Sequence, residues 1–138
     1  MNLLMIFVFM FFGQSNQQAN FNLTVYLSGI EPHKGNLMIG VFNNEEDFLI
    51  PGKEFRVKIV KAKEQDEIIN FENMPAGKYA ISIFQDRNAD GKMNKNFIGI
   101  PKEIYGFSKN FRPVLSAPKF DDCSFELKQD KVLKIELK

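Results

Sequence analysis

Hydrophobic residues recur at every second position over most of this chain. Phe21, Leu23, Val25 and Leu27 form one apolar row, opposed by Asn22, Thr24, Tyr26 and Ser28. Leu37, Ile39 and Val41 repeat the pattern, as do Phe55, Val57 and Ile59, opposed by Glu54, Arg56 and Lys58. Ile69 with Phe71 predicts a short strand, and Tyr79, Ile81 and Ile83 predict another. Phe125 and Leu127 precede a turn at Gln129-Asp130-Lys131, after which Leu133, Ile135 and Leu137 complete the set. Side chains alternate across a strand, so a period of two with polar residues opposite predicts strands covered on one face only.

Turn chemistry separates the runs. Glu31-Pro32-His33-Lys34-Gly35 stands between the first two, Pro75-Ala76-Gly77 leads into the Tyr79 strand, and Asp90-Gly91 follows it. The only helical pattern spans Asn44 to Leu49, where Asn43 or Asn44 can cap one or two turns. About seven short antiparallel strands at this spacing predict an all-β fold, a single β-sandwich with Greek-key connections. The longest stretch without a pattern runs from Asp86 to Asp122. Loops of that length in compact domains are usually functional, which makes it the first place to look for a site.

Residues Leu3 to Phe12 (LLMIFVFMFF) are an unbroken apolar run followed by Gly13-Gln14-Ser15. This is the pattern of a signal-peptide core and cleavage site, and the run is too short to span a bilayer. The expectation is a cleaved signal peptide over 1–15, a single domain over 16–138 with no transmembrane segment, and a secreted or periplasmic location. No cysteine follows the run, so nothing supports a lipid anchor.

Composition narrows the function. The chain has 138 residues, 18 basic and 17 acidic, for a formal net charge of +1. That balance gives no basic stripe and argues against nucleic acid as a partner. The single cysteine, Cys123, excludes an intramolecular disulfide. It alternates with Phe125 and Leu127, so it is expected in the core as a small hydrophobe. The only histidine, His33, lies in a Pro/Gly turn far in sequence from Ser108, Ser116 and Cys123. No nucleophile–base–orienter set assembles, and the chain is read as a non-enzyme. The only acid–base alternative is the carboxylate pair Asp86 with Glu103, as in a carboxylate-based hydrolase.

Two segments carry candidate binding chemistry. Asp86-Arg87-Asn88-Ala89-Asp90-Gly91-Lys92-Met93-Asn94 fits the first half of a calcium loop, D-x-[DN]-x-[DN]-G. The donors would be Asp86, Asn88, Asp90, the Lys92 carbonyl and Asn94, with Gly91 making the sharp turn. The twelfth position is Phe97 rather than a bidentate Glu, so Ca2+ would bind weakly unless Glu103, Asp121 or Asp122 completes the shell. The same residues also suit a metal-free Asx-rich turn. Second, Tyr105, Phe107 and Phe111 interleave with Lys102, Lys109 and Arg112. With Glu103, Tyr105 and Phe107 at its centre, the 97–112 segment could stack on a sugar or peptide of the cell envelope or exterior. The alternative is that its rings fasten the loop to the sandwich.

The order of short motifs also resembles a known family. Met74-Pro75-Ala76-Gly77-Lys78-Tyr79-Ala80-Ile81 is followed by the Asp86–Asn94 loop, Ile98-Gly99-Ile100-Pro101-Lys102-Glu103 and Tyr105-Gly106-Phe107-Ser108. Pro118, Phe120 and Asp121 to Phe125 complete it. Over roughly Leu23 to Leu137 the chain resembles the bacterial secreted family catalogued as domain of unknown function 2141. The resemblance implies an exported, single-domain, β-rich protein, and assigns no activity. The Pro-Ala-Gly-x-Tyr turn is also similar to those of transthyretin-like and collagen-adhesin B-type sandwich domains, which implies a transthyretin-like or Ig-like sandwich. Family members often carry Asp where this chain has Asn94, which leaves one carboxylate fewer in the loop.

Overall fold

A computed structural model describes residues 17–138. The signal peptide expected over 1–15 lies outside the described residues. Eight strands follow in order: β1 (Asn20–Ser28), β2 (Asn36–Phe42), β3 (Arg56–Lys61), β4 (Glu67–Pro75), β5 (Gly77–Asp86), β6 (Tyr105–Phe107), β7 (Phe125–Leu127) and β8 (Lys131–Glu136). They form two sheets. The first has the order β4-β1-β8. The second has the order β3-β2-β5-β6, with β7 also pairing β5. No helix among the described residues is long and apolar enough to cross a membrane.

The alternating rows do what period two requires. Leu23, Val25 and Leu27 of β1, with Ile69 and Phe71 of β4, point inward from the first sheet. Leu37, Ile39 and Val41 of β2, with Ile81 and Ile83 of β5, point inward from the second, and together they form one buried cluster. Each such side chain contributes about 1.5–3 kcal/mol when fully buried, so this sandwich-like core carries the fold.

Four expectations need correction. The pairs are not all antiparallel: β8 runs parallel to β1, with Leu23 beside Lys131 and Ser28 beside Glu136. The chain reaches it by crossing from β7 in one sheet to β8 in the other, a connection that short-range patterning does not encode. The β3 row is also reversed. Val57 pairs with Gly40 and Ile59 with Met38, so both lie on the outer face, away from Leu37 and Ile39. Val60 and Phe55 are the residues of this segment that pack against the core. The Asn44–Leu49 segment forms turns rather than a helix, although Asn44 Oδ1 does accept the Asp47 N–H at 2.9 Å. The helical pieces are a 3-10 turn at Ser108–Asn110 and a one-turn helix, α1 (Phe120–Cys123). With β6 they break up the stretch expected to lack structure.

The second sheet is covered on both faces at one end. Phe42, Ala80, Phe107, Phe120 and Cys123 form a second buried cluster on its outer side, joined by Phe48 and Leu49. Phe48 meets Phe42 edge-on at 5.4 Å and Phe120 at 5.8 Å. Cys123 is buried and free, as expected, but it sits in this outer cluster and not beside Phe125 and Leu127. Ser108 stitches the layer to the sheet. Val41 of β2 pairs Ile81 on one side; on the other, neither β6 nor β7 reaches it, and the Ser108 hydroxyl takes that place. It accepts the Ile81 N–H at 2.9 Å and donates to the Cys123 carbonyl.

Candidate functional site

The Asp86–Glu103 loop is built on two buried carboxylates. Asp86 ends β5 and is 1% exposed; Glu103 is 6% exposed. Asp86 Oδ1 accepts the Asp90 N–H at 3.2 Å, and its Oδ2 accepts the Gly91 N–H at 2.7 Å. Glu103 Oε1 accepts the Arg87 N–H at 2.9 Å, and its Oε2 accepts the Asn94 N–H at 3.2 Å. Asp90 Oδ1 accepts the Lys92 N–H at 2.9 Å, and this bond is the main cause holding the Asp90 carboxyl below its usual range. Asn94 Nδ2 donates to Asn88 Oδ1 at 3.2 Å. Four of the five residues expected as metal donors thus interact through their side chains within one loop. Lys92 enters through its backbone.

Glu103 joins that loop, and the other two acids considered for it do not. Asp121 is on α1 and pairs with Lys78 at 2.7 Å, and Asp122 Oδ2 accepts the Lys119 N–H at 2.8 Å. Among the described residues no three His, Cys, Asp or Glu side chains gather in a way that could hold a metal ion. Any cation here would depend on amide and carbonyl oxygens as well.

The aromatic segment divides. Phe107 is buried in the outer cluster, with Tyr105 and Phe111 packed against it. Tyr105 and Phe107 nevertheless line a cleft of about 760 Å3 on the outer face of the second sheet. Glu103 turns away from it into the loop.

Strand register builds the floor of this cleft. One row across the sheet reads Val57, Gly40, Ser82, Phe107, and the next reads Ile59, Met38, Phe84, Tyr105. The Gly40–Ser82 pair puts the two smallest side chains of these rows side by side between Val57 and Phe107; the Gly40 end of this trough is filled by the Glu54 stem and the Phe42 ring, 3.0 and 3.2 Å from where a Cβ would stand, and Ser82 lines the part that stays open. Two segments wall it. One is the small hairpin at 94–102, closed by Lys102 N–H to the Asn94 carbonyl and Asn96 N–H to the Ile100 carbonyl, both 2.8 Å. From it Ile98, 65% exposed, and Ile100, 53% exposed, line the cleft. The other wall is the 113–118 segment, where Val114 is 91% and Leu115 98% exposed. Apolar side chains on both walls thus remain in water above an apolar floor.

The cleft has little reactive chemistry. The lone thiol, Cys123, is buried outside it, and burial pushes that thiol up to about 11, so it is protonated at neutral pH. Sequence reasoning missed Met38, Gly40, Val57, Ser82 and Phe84 as lining residues. The available signal was that β2 (NLMIGVF) and β5 (GKYAISIFQD) carry apolar residues at both parities, which marks a sheet covered on both faces.

Over residues 25–136 the chain matches the family described as "Uncharacterized protein conserved in bacteria (DUF2141)", and it belongs to that family. No curated protein and no solved structure matches it.

Proposed function

We propose that this chain is an exported, non-catalytic binding module whose ligand site is the apolar cleft on the outer face of its second sheet. In this reading residues 1–15 are a cleaved signal peptide and the sandwich is Greek-key and transthyretin-like in connectivity. The observation that carries it is the cleft floor at Met38, Ser82 and Phe84 beneath two walls of exposed apolar side chains. Small-molecule sites are typically clefts of about 300–1,000 Å3 lined mostly by apolar groups. Contiguous exposed apolar surface is otherwise costly in a soluble chain. The neutral probe N-phenyl-1-naphthylamine is expected to fluoresce on binding residues 16–138, which carry both sheets and both clusters. Ser82→Trp, which fills the trough from the solvent side, should weaken that binding at least tenfold while leaving the melting temperature within a few degrees. A probe that ignores the wild-type protein, or binds Ser82→Trp equally well, would remove the cleft as the site.

A second reading concerns the loop, and the position of Glu103 favours it. That carboxylate reaches Asn94 from outside the nine-residue motif and supplies an acid the motif lacks. We infer that weak Ca2+ binding orders this loop, with Asp86, Asn88, Asp90, Asn94 and the Lys92 carbonyl as donors and Glu103 completing the shell. With a dissociation constant near 1 mM, as in extracellular modules, 10 mM CaCl2 adds about 1.4 kcal/mol. That corresponds to a rise of roughly 5 °C in melting temperature over EDTA. The Asp86→Ala/Asp90→Ala double variant should lose the calcium-dependent increment, whatever its own baseline. An increment below one degree in the wild type would leave the loop as turn chemistry alone.

A further inference from the structure

The two ends of the cleft differ in charge. The 86–103 loop leaves the sheet where Asp86 pairs with Asn36, beyond the Met38–Phe84 row. From it Lys92 and Lys95 line that end of the cleft. Both are exposed, and neither takes part in an ion pair among the described residues. Toward the other end the side chain of Glu54, the one acidic residue lining the cleft, packs over Gly40. Its Cγ lies 3.0 Å from where a Cβ on Gly40 would stand. Between the ends the floor is apolar apart from the Ser82 and Tyr105 hydroxyls. The span from Gly40 to Asn36 is about 14 Å at about 3.4 Å per residue, close to the length of the extended tail of dodecanoate.

Resting on the cleft reading above, we propose that the ligand is a monomeric single-chain amphiphile with an anionic head, of the alkyl-carboxylate class. Its chain lies along the floor at Ser82, Met38 and Phe84 and its head meets Lys92 and Lys95. Among the described residues neither ammonium is in an ion pair, so both can meet an anionic head. Glu54 repels an anion at the opposite end, so the charges fix the direction in which the chain lies. A cationic amphiphile meets the reverse arrangement, with its head beside two ammonium groups.

The test is displacement of N-phenyl-1-naphthylamine from residues 16–138 by dodecanoate, dodecanol and dodecyltrimethylammonium at low ionic strength. Exposed ion pairs contribute modestly, so dodecanoate should displace the probe about fivefold more tightly than dodecanol. Dodecyltrimethylammonium should be weaker than the alcohol. The preference should shrink in 1 M NaCl, where screening is strong. It should vanish in Lys92→Gln/Lys95→Gln and survive in Lys53→Gln/Lys63→Gln. Equal displacement by all three amphiphiles would overturn this proposal and leave the cleft reading intact. So would a carboxylate preference that persists in Lys92→Gln/Lys95→Gln. Binding to anionic phospholipid vesicles with no binding of monomeric dodecanoate would overturn it in favour of a membrane surface. Failure of the probe to bind the wild type would instead sink the cleft reading, and this proposal with it.

Discussion

Replacing Gln85 with leucine is expected to destabilise the protein by about 3 kcal/mol, although leucine has a similar volume and the site is fully buried. Gln85 stands on β5 where the inward row of Ile81 and Ile83 would place another aliphatic residue. Its amide acts as a piece of backbone. Oε1 accepts the Glu31 N–H at 2.9 Å, and Nε2 donates to the carbonyls of Glu31 at 2.7 Å and Lys34 at 2.6 Å. Leucine would leave one N–H and two carbonyls without their partner, at about 1–3 kcal/mol for each group that water does not reach. The turn lies near the surface, so water recovers part of that sum, which holds the total near 3 kcal/mol. Gln85→Glu should be worse, because it loses both donors and turns a carboxylate toward two carbonyl oxygens. Urea unfolding is the measurement: the midpoint should fall while the slope stays constant. A loss below about 1 kcal/mol would mean that the 31–34 turn re-solvates freely and is not held by Gln85.

That residue illustrates where sequence patterning stops. The inward rows of β1, β2, β4 and β5 were legible because alternation is local and the core rewards it directly. Gln85 continues the inward parity but breaks its chemistry, and its partners are 51 and 54 positions away. The face of β3 failed for the same reason. Val57 and Ile59 look inward by their own pattern, and only pairing with Gly40 and Met38 shows which side they take. The Asp86 loop was readable as a motif because Asp86, Asn88, Asp90 and Asn94 fall within nine residues, whereas Glu103 joins it only in the folded chain. The cleft was the least legible feature. A glycine in a strand signals a weak or closely approached point, but the trough needs Ser82 opposite it, set by a register between strands about forty residues apart. In the aromatic segment the structure shows the fastening role: Phe107 is buried in the outer cluster, with Tyr105 and Phe111 packed against it, while Tyr105 and Phe107 also line the cleft.

Gly35→Ala should cost about as much as the loss of Gln85, through a different cause at the same junction. Gly35 adopts φ +66°, and a Cβ there would lie 1.9 Å from the Asp86 carbonyl oxygen and 2.7 Å from the Arg87 Cα. The left-handed conformation alone costs about 1–2 kcal/mol for an alanine. The contact is with backbone, so no side chain can rotate away, and either the turn or the start of the 86–103 loop must shift. We expect a total of about 3 kcal/mol. Gly52→Ala is the control, since Gly52 has φ +82° and open space around its Cα. It should show the conformational cost of about 1 kcal/mol and nothing more. The difference between the two variants isolates the close approach. Gln85 and Gly35 hold the same turn against the same strand end, so their effects should not add. Once Gln85→Leu has released the turn, Gly35→Ala meets a loop already free to move, and the double variant should fall short of the sum by about 1 kcal/mol or more. Strict additivity would mean that two independent contacts hold the turn. Sub-additivity would establish one anchored junction, with the base of the Asp86 loop positioned by the turn beneath it.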